Sequence, residues 1–181
     1  DSDYHLTTGF VGTPYLNLTL SNNGYHETAM KLLLQEAYPS WLYPVTKGAT
    51  TIWEHWDGIK EDGSFWSDDM NSFNDYAYGA IGDWMYRIVA GLDMAEPAYK
   101  RIRINPRIGG KEMTYARATH HSMYGKVESA WNITHKEVRV EVEVPSNTTA
   151  TIILPYARKE DVKENGIAIM KTDGVLDVTQ T

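Results

Sequence analysis

The chain has no cysteine, which excludes a disulfide frame and a thiolate zinc site and leaves the compartment open. No apolar run approaches the roughly 20 residues of a membrane helix, so no membrane partner is expected, and no signal-peptide pattern is visible. The chain also lacks an initiator Met, and Asp1 reads as a processed or truncated start. Excess positive charge is missing too. The formal net charge is -7 and is uneven: residues 1–92 hold twelve acids and four bases, net -8, while residues 93–181 hold twelve acids and thirteen bases, net +1. An acidic first half argues against nucleic acid as a partner. There is no H-E-x-x-H pair, Gly-x-Ser-x-Gly elbow, P-loop or dinucleotide fingerprint. Neither a metal nor a cofactor is expected.

At 181 residues the chain is long enough for one domain or two small ones. Its first half reads as helices and long loops. Gly12 to Asn22 carries Tyr15, Leu16, Leu18 and Leu20; the turn signal Asn22-Asn23-Gly24 follows; Tyr25 to Ala37 then sets Ala29, Leu32, Leu33 and Glu36 at helical spacing. An antiparallel helical hairpin is the expected product. From Ser40 to Met70 the chain is rich in Gly, Asp, Ser and Trp without periodicity, and so long a loop is usually functional. A buried helix is expected from Asn71 to Ala90, with Phe73, Ala77, Ala80, Trp84 and Ile88 on one face and Gly91 as its stop. After Pro97 the period falls to 2. Val138, Val140, Val142 and Val144 alternate with charged residues, and similar runs occur at 100–104, 113–121, 126–133 and 149–154. Turn signals at 122–125, 134–136 and 145–147 predict consecutive hairpins in an antiparallel sandwich. Asn165-Gly166 and Asp173-Gly174 mark two later turns. The predicted domains are 1–92 and 98–181.

Trp53, Glu54, His55, Trp56 and Asp57 are consecutive. Indoles can stack on the C–H faces of a sugar, and a carboxylate between them can accept a proton from water. If the segment is extended, Glu54 and Trp56 point the same way. The competing account makes the indoles core anchors and Glu54 the cap of a local turn. Asp57, Glu61, Asp62, Asp68 and Asp69 lack calcium-loop spacing and read better as a solvated acidic loop. Asp75, at the start of the predicted helix, complements its dipole.

The order of His5-Leu6-Thr7-Thr8-Gly9-Phe10, Gly12-Thr13-Pro14-Tyr15, Tyr38-Pro39-Ser40-Trp41-Leu42-Tyr43-Pro44, Gly48-Ala49-Thr50-Thr51-Ile52-Trp53-Glu54 and Asn71-Ser72-Phe73-Asn74 closely resembles the C-terminal part of bacterial α-L-rhamnosidases of glycoside hydrolase family 78. Ile104-Asn105-Pro106 and Ser122-Met123-Tyr124-Gly125 extend the resemblance into the second half. The resemblance implies an α+β chain in two parts, the last helices of a six-fold α/α barrel followed by a β-sandwich, and inverting hydrolysis of terminal α-L-rhamnosides. It implies Glu54 as general base, a sugar contact at the position of Asp75, and a rhamnose-containing carbohydrate as partner; Trp53 and Trp56 are the sugar contacts that the residues themselves suggest. The family commonly has His where this chain has Asp75, so a carboxylate replaces an imidazole at an expected sugar contact. The family's general acid lies in an upstream segment that does not occur here. A barrel of about a dozen helices of typical length also exceeds what residues 1–92 supply, so the chain is expected to be an inactive fragment whose partner is the missing upstream barrel. A bacterial, periplasmic or extracellular setting is expected ahead of a cytoplasmic one. The runner-up is a noncatalytic carbohydrate-binding or accessory module using the same tryptophans.

Overall fold

Pro14 sits in the first turn of helix α1 (Thr13–Asn22), where its missing N–H costs nothing. Gly24, at φ +89°, lets the chain reverse into α2 (His26–Leu34). This computed structural model describes residues 2–109, 113–135 and 137–180. The hairpin forms as its spacing predicts, but α2 ends three residues before Ala37 and leaves Glu36 outside it. The inner stripe of α1 is polar: Thr13, Asn17 and Ser21 are buried one turn apart, with the leucines half-buried to either side. Most of the stripe is hydrogen-bonded, the exception among the described residues being the buried Asn17 Oδ1. Asn17 donates to the Ala29 carbonyl at 3.2 Å, and Ser21 Oγ accepts the Trp84 indole N–H at 2.9 Å.

A short helix α3 (Leu42–Thr46) precedes a segment running irregularly to Tyr76. The helix expected from Asn71 begins only at Ala77. Residues 71–76 are instead drawn out along residues 51–54: Glu54 N donates to Ser72 O at 2.9 Å, Asp75 N to Ile52 O at 2.9 Å, and the Thr51 hydroxyl to Phe73 O. Cross-segment bonding has taken the place of the first helical turns. From there the winding changes twice, through a 3₁₀ turn Ala77–Ala80, an α turn α4 (Ile81–Trp84) and a π turn Met85–Val89. Gly91 then stops the helix at φ +76°. A Cβ there would lie 2.1 Å from the Pro106 nitrogen, so only glycine permits this approach.

The second half holds β1 (Leu92–Met94), β2 (Arg101–Ile104), β3 (Tyr115–Ser122), β4 (Gly125–Ile133), β5 (Val138–Glu143), β6 (Thr149–Ile152), β7 (Lys163–Glu164) and β8 (Ile167–Ala168). β3, β4 and β5 pair antiparallel in sequence order, and their alternating charges form ion pairs on the outer face, such as Arg117 with Glu128 and Glu141. Of the turn expected at 134–136, Lys136 lies outside the described residues. The Asn165-Gly166 turn joins β7 to β8 with both residues at positive φ.

The expectation of consecutive antiparallel hairpins fails at one edge. β6 pairs parallel with β2, on the side opposite β1, so the order is β1-β2-β6. The whole β3-β4-β5 sheet lies within that crossover, and alternation shows which face of a strand is apolar, not the direction of its neighbour. Ile102 and Ile104 of β2 share a core with Ala118 of β3 and Val127 of β4. A second core joins the helical part to the sheet, packing Ala29, Met30, Leu33, Trp84 and Val89 around Trp131 of β4.

Candidate active site

Glu54 is half-buried where the drawn-out 71–76 segment crosses the loop. Its Oε2 accepts the Ser72 N–H at 3.0 Å, and its own N–H donates to Ser72 O. Oε1 has no hydrogen-bond partner among the described residues. One oxygen is therefore fixed and the other can accept a proton from water. The segment is bent rather than extended here, so Trp56 does not follow Glu54 in alternation. Trp56 stacks on Tyr78 at 3.7 Å and meets Trp41 edge-on at 5.6 Å. Trp53 is buried, edge-on to Phe73 at 5.0 Å, with its ring close to Gly58. The anchoring that the competing account expects of the indoles is thus present, whereas Glu54 caps no local turn among the described residues and instead bonds the backbone of the distant 71–76 segment.

Asp75 sits just ahead of the helical stretch, not inside its first turn. Its Oδ1 accepts the Ala77 N–H, the first of the 3₁₀ turn, at 2.9 Å from one residue ahead of the N-cap position, Tyr76. Burial, and then the Asp75 carboxylate, push the Tyr78 phenol above its ordinary pKa. The pairing of 52–54 with 72–75 thus brings Glu54 and Asp75 onto neighbouring segments.

Several contacts at the site were not legible in the sequence. His55 stacks face to face on Trp66 at 3.7 Å and 14°, although eleven residues separate them without periodicity. Asn71 Nδ2 donates to Gly58 O at 2.9 Å and holds the loop to the 71–76 segment. Ser72 contributes backbone groups, which side-chain chemistry does not announce. Of the acidic loop, Glu61, Asp62, Asp68 and Asp69 are exposed and Asp57 is half-buried. Hydrogen bonds from the Ser64 hydroxyl and N–H hold the Asp62 carboxyl below its usual range. Among the described residues no three His, Asp or Glu side chains converge as metal ligands would.

Residues 1–89 match the bacterial alpha-L-rhamnosidase 6 hairpin glycosidase domain, and residues 91–168 match the bacterial alpha-L-rhamnosidase C-terminal domain. The chain belongs to the bacterial α-L-rhamnosidase family. An α-L-rhamnosidase of Streptomyces avermitilis is 43% identical over 173 residues, covering 95% of this chain and 17% of that protein. One from Formosa agariphila is 45% identical over 163 residues, covering 90% and 18%. The crystal structure of the Streptomyces avermitilis α-L-rhamnosidase complexed with L-rhamnose superposes with a TM-score of 0.82 at 42% identity, over 92% of this chain and 17% of that one. This family member thus spans about a sixth of its relatives' length. No described helix is long and apolar enough to cross a membrane.

Proposed function

We propose that this chain supplies the general-base side of an inverting α-L-rhamnosidase, with Glu54 activating the water that attacks the anomeric carbon. The reading is supported by the fixing of Glu54 Oε2 on the Ser72 N–H while Oε1 keeps its lone pairs for water. Trp56 and Asp75 flank the sugar site, and Trp53 backs it. Residues 1–92 contribute the last helices of a six-fold α/α barrel, and residues 98–181 form its accompanying β-sandwich. The acid that protonates the leaving group belongs to an upstream part of the barrel, across the roughly 6.5–9.5 Å gap that inversion requires. Phe10, Val11, Tyr15, Tyr25 and Val45 are exposed on the first half, an apolar surface that the remaining hairpins would cover. The test is turnover of an aryl α-L-rhamnoside by these 181 residues and by a chain extended upstream to its relatives' length. Only the extended chain is expected to act. Turnover by the 181 residues alone, abolished in Glu54→Gln, would place an acid inside them and overturn the fragment reading.

A further inference from the structure

Three guanidinium groups line one cleft between the helical part and the β1-β2-β6 sheet, a place remote in sequence from Glu54. Arg87 reaches it from the π turn, Arg103 from β2 and Arg107 from the segment after β2; Asn22, Asp93 and Asn105 complete its polar wall. The cavity measures about 90 Å³. A single water needs on the order of 10–15 Å³, so there is room for a ligand of several heavy atoms.

The carboxylate in the wall is already engaged. Asp93 Oδ2 accepts from Arg87 Nε at 3.3 Å, and its Oδ1 accepts the Met94 N–H at 2.9 Å. Arg87 also holds Asp83 through NH1 at 3.1 Å. Those three side chains together carry one net negative charge. Arg107 donates through NH1 to Ser21 O at 2.6 Å, capping the C-terminal end of α1 and leaving its other N–H groups for the cleft. Arg103 makes no ion pair among the described residues, although its cross-strand neighbour is Asp93. The cleft as a whole therefore carries a net positive charge, with two guanidiniums not matched by a carboxylate.

We propose that this cleft binds a small oxyanion, a tetrahedral sulfate or phosphate group or the carboxylate of an acidic sugar, between Arg103 and Arg107. Guanidinium forks suit such groups because two N–H bonds can run in parallel to two oxygens. Asn22 and Asn105 add neutral amide donors. An anion held there ties α1, the π turn and β2 together, so binding stabilises the junction of the two halves.

The probe is sodium sulfate, read as the melting temperature of the 181-residue protein against sodium chloride at equal ionic strength. Sulfate also stabilises proteins generally by exclusion from their surface, so the diagnostic part is a saturable rise. It is expected in the wild type and in Arg101→Gln, whose arginine lies on the same strand but pairs with Glu96 outside the cleft, and is expected to vanish in Arg103→Gln. Arg103 is exposed and unpaired, so this variant should fold, which far-UV circular dichroism checks. Sodium glucuronate is the second arm. A saturable rise lost in Arg103→Gln extends the site to acidic sugars, and its absence beside a sulfate response confines the site to tetrahedral oxyanions. No saturable rise with either salt, or an equal loss in Arg101→Gln and Arg103→Gln, would overturn the proposal.

Discussion

Glu54 and Ser72 bond each other twice: the Glu54 N–H donates to Ser72 O, and the Ser72 N–H donates to Glu54 Oε2. Both of Ser72's contributions are backbone groups, so its hydroxyl is not part of the clasp. Ser72→Ala is expected to leave kcat of the extended enzyme within a few-fold of wild type, since it removes only the 3.2 Å bond from Asn74 N to Ser72 Oγ, on the order of 1 kcal/mol. Steady-state kinetics on a chromogenic rhamnoside check this. A loss as large as that from removing the carboxylate would show that the hydroxyl is part of the machinery.

Gly91 is the least replaceable glycine among the described residues. It combines positive φ with a Cβ position 2.1 Å from the Pro106 nitrogen, far inside contact distance, so Gly91→Ala must displace the backbone that joins the last helix to β1. A loss of about 3 kcal/mol or more is expected in urea unfolding. A change under about 1 kcal/mol would mean that the 105–106 segment yields easily.

Trp131 links the halves. Its indole N–H donates to Val89 O at 2.7 Å from within the core it shares with α2 and Trp84. Trp131→Phe leaves that buried carbonyl unpaired and a cavity beside it, and should destabilise by about 2–4 kcal/mol. A single cooperative transition should persist by both fluorescence and circular dichroism. Separate transitions for the helical and sheet parts in the wild type would show that this core does not couple them.

His26 gives the junction a pH dependence. Its Nδ1 lies 3.1 Å from Ser21 Oγ, which accepts the Trp84 indole N–H and therefore turns its own proton toward the imidazole. Burial first, and the Arg107 guanidinium second, hold the His26 pKa below its ordinary value. The unfolded chain then binds this proton more readily than the folded one. The corresponding stability is complete above about pH 6.5, falls as pH drops through that unfolded value, and levels off below the folded pKa. The loss of melting temperature between pH 7.5 and pH 5 should be smaller in His26→Gln. Identical slopes would remove His26 from the account.

Much of the fold is written in local pattern. The α1–α2 hairpin, the five longer strands and the Gly91 stop each follow from spacing within a single segment. What the pattern missed depends on partners distant in the chain. The drawn-out 71–76 segment exists because residues 51–54 lie beside it, and the parallel β2–β6 pair depends on a crossover of more than forty residues. The polar stripe of α1 is buried against Ala29 and Trp84, which pair with the Asn17 amide N–H and the Ser21 hydroxyl, while Asn17 Oδ1 has no partner among the described residues. At the site, the Trp-Glu pair was conspicuous as chemistry, whereas Ser72 and Trp66 join it through backbone bonding and stacking that no spacing rule encodes.

The account rests on Glu54 as the base that activates water. The most direct measurement is kcat of Glu54→Gln against wild type in the chain extended to its relatives' length, with an aryl α-L-rhamnoside as substrate and the melting temperature recorded for both proteins. Gln keeps an oxygen for the Ser72 N–H but cannot take a proton, so the predicted result is an unchanged melting temperature with kcat lower by about 10²-fold or more. Near-normal turnover by a folded Glu54→Gln enzyme would contradict it.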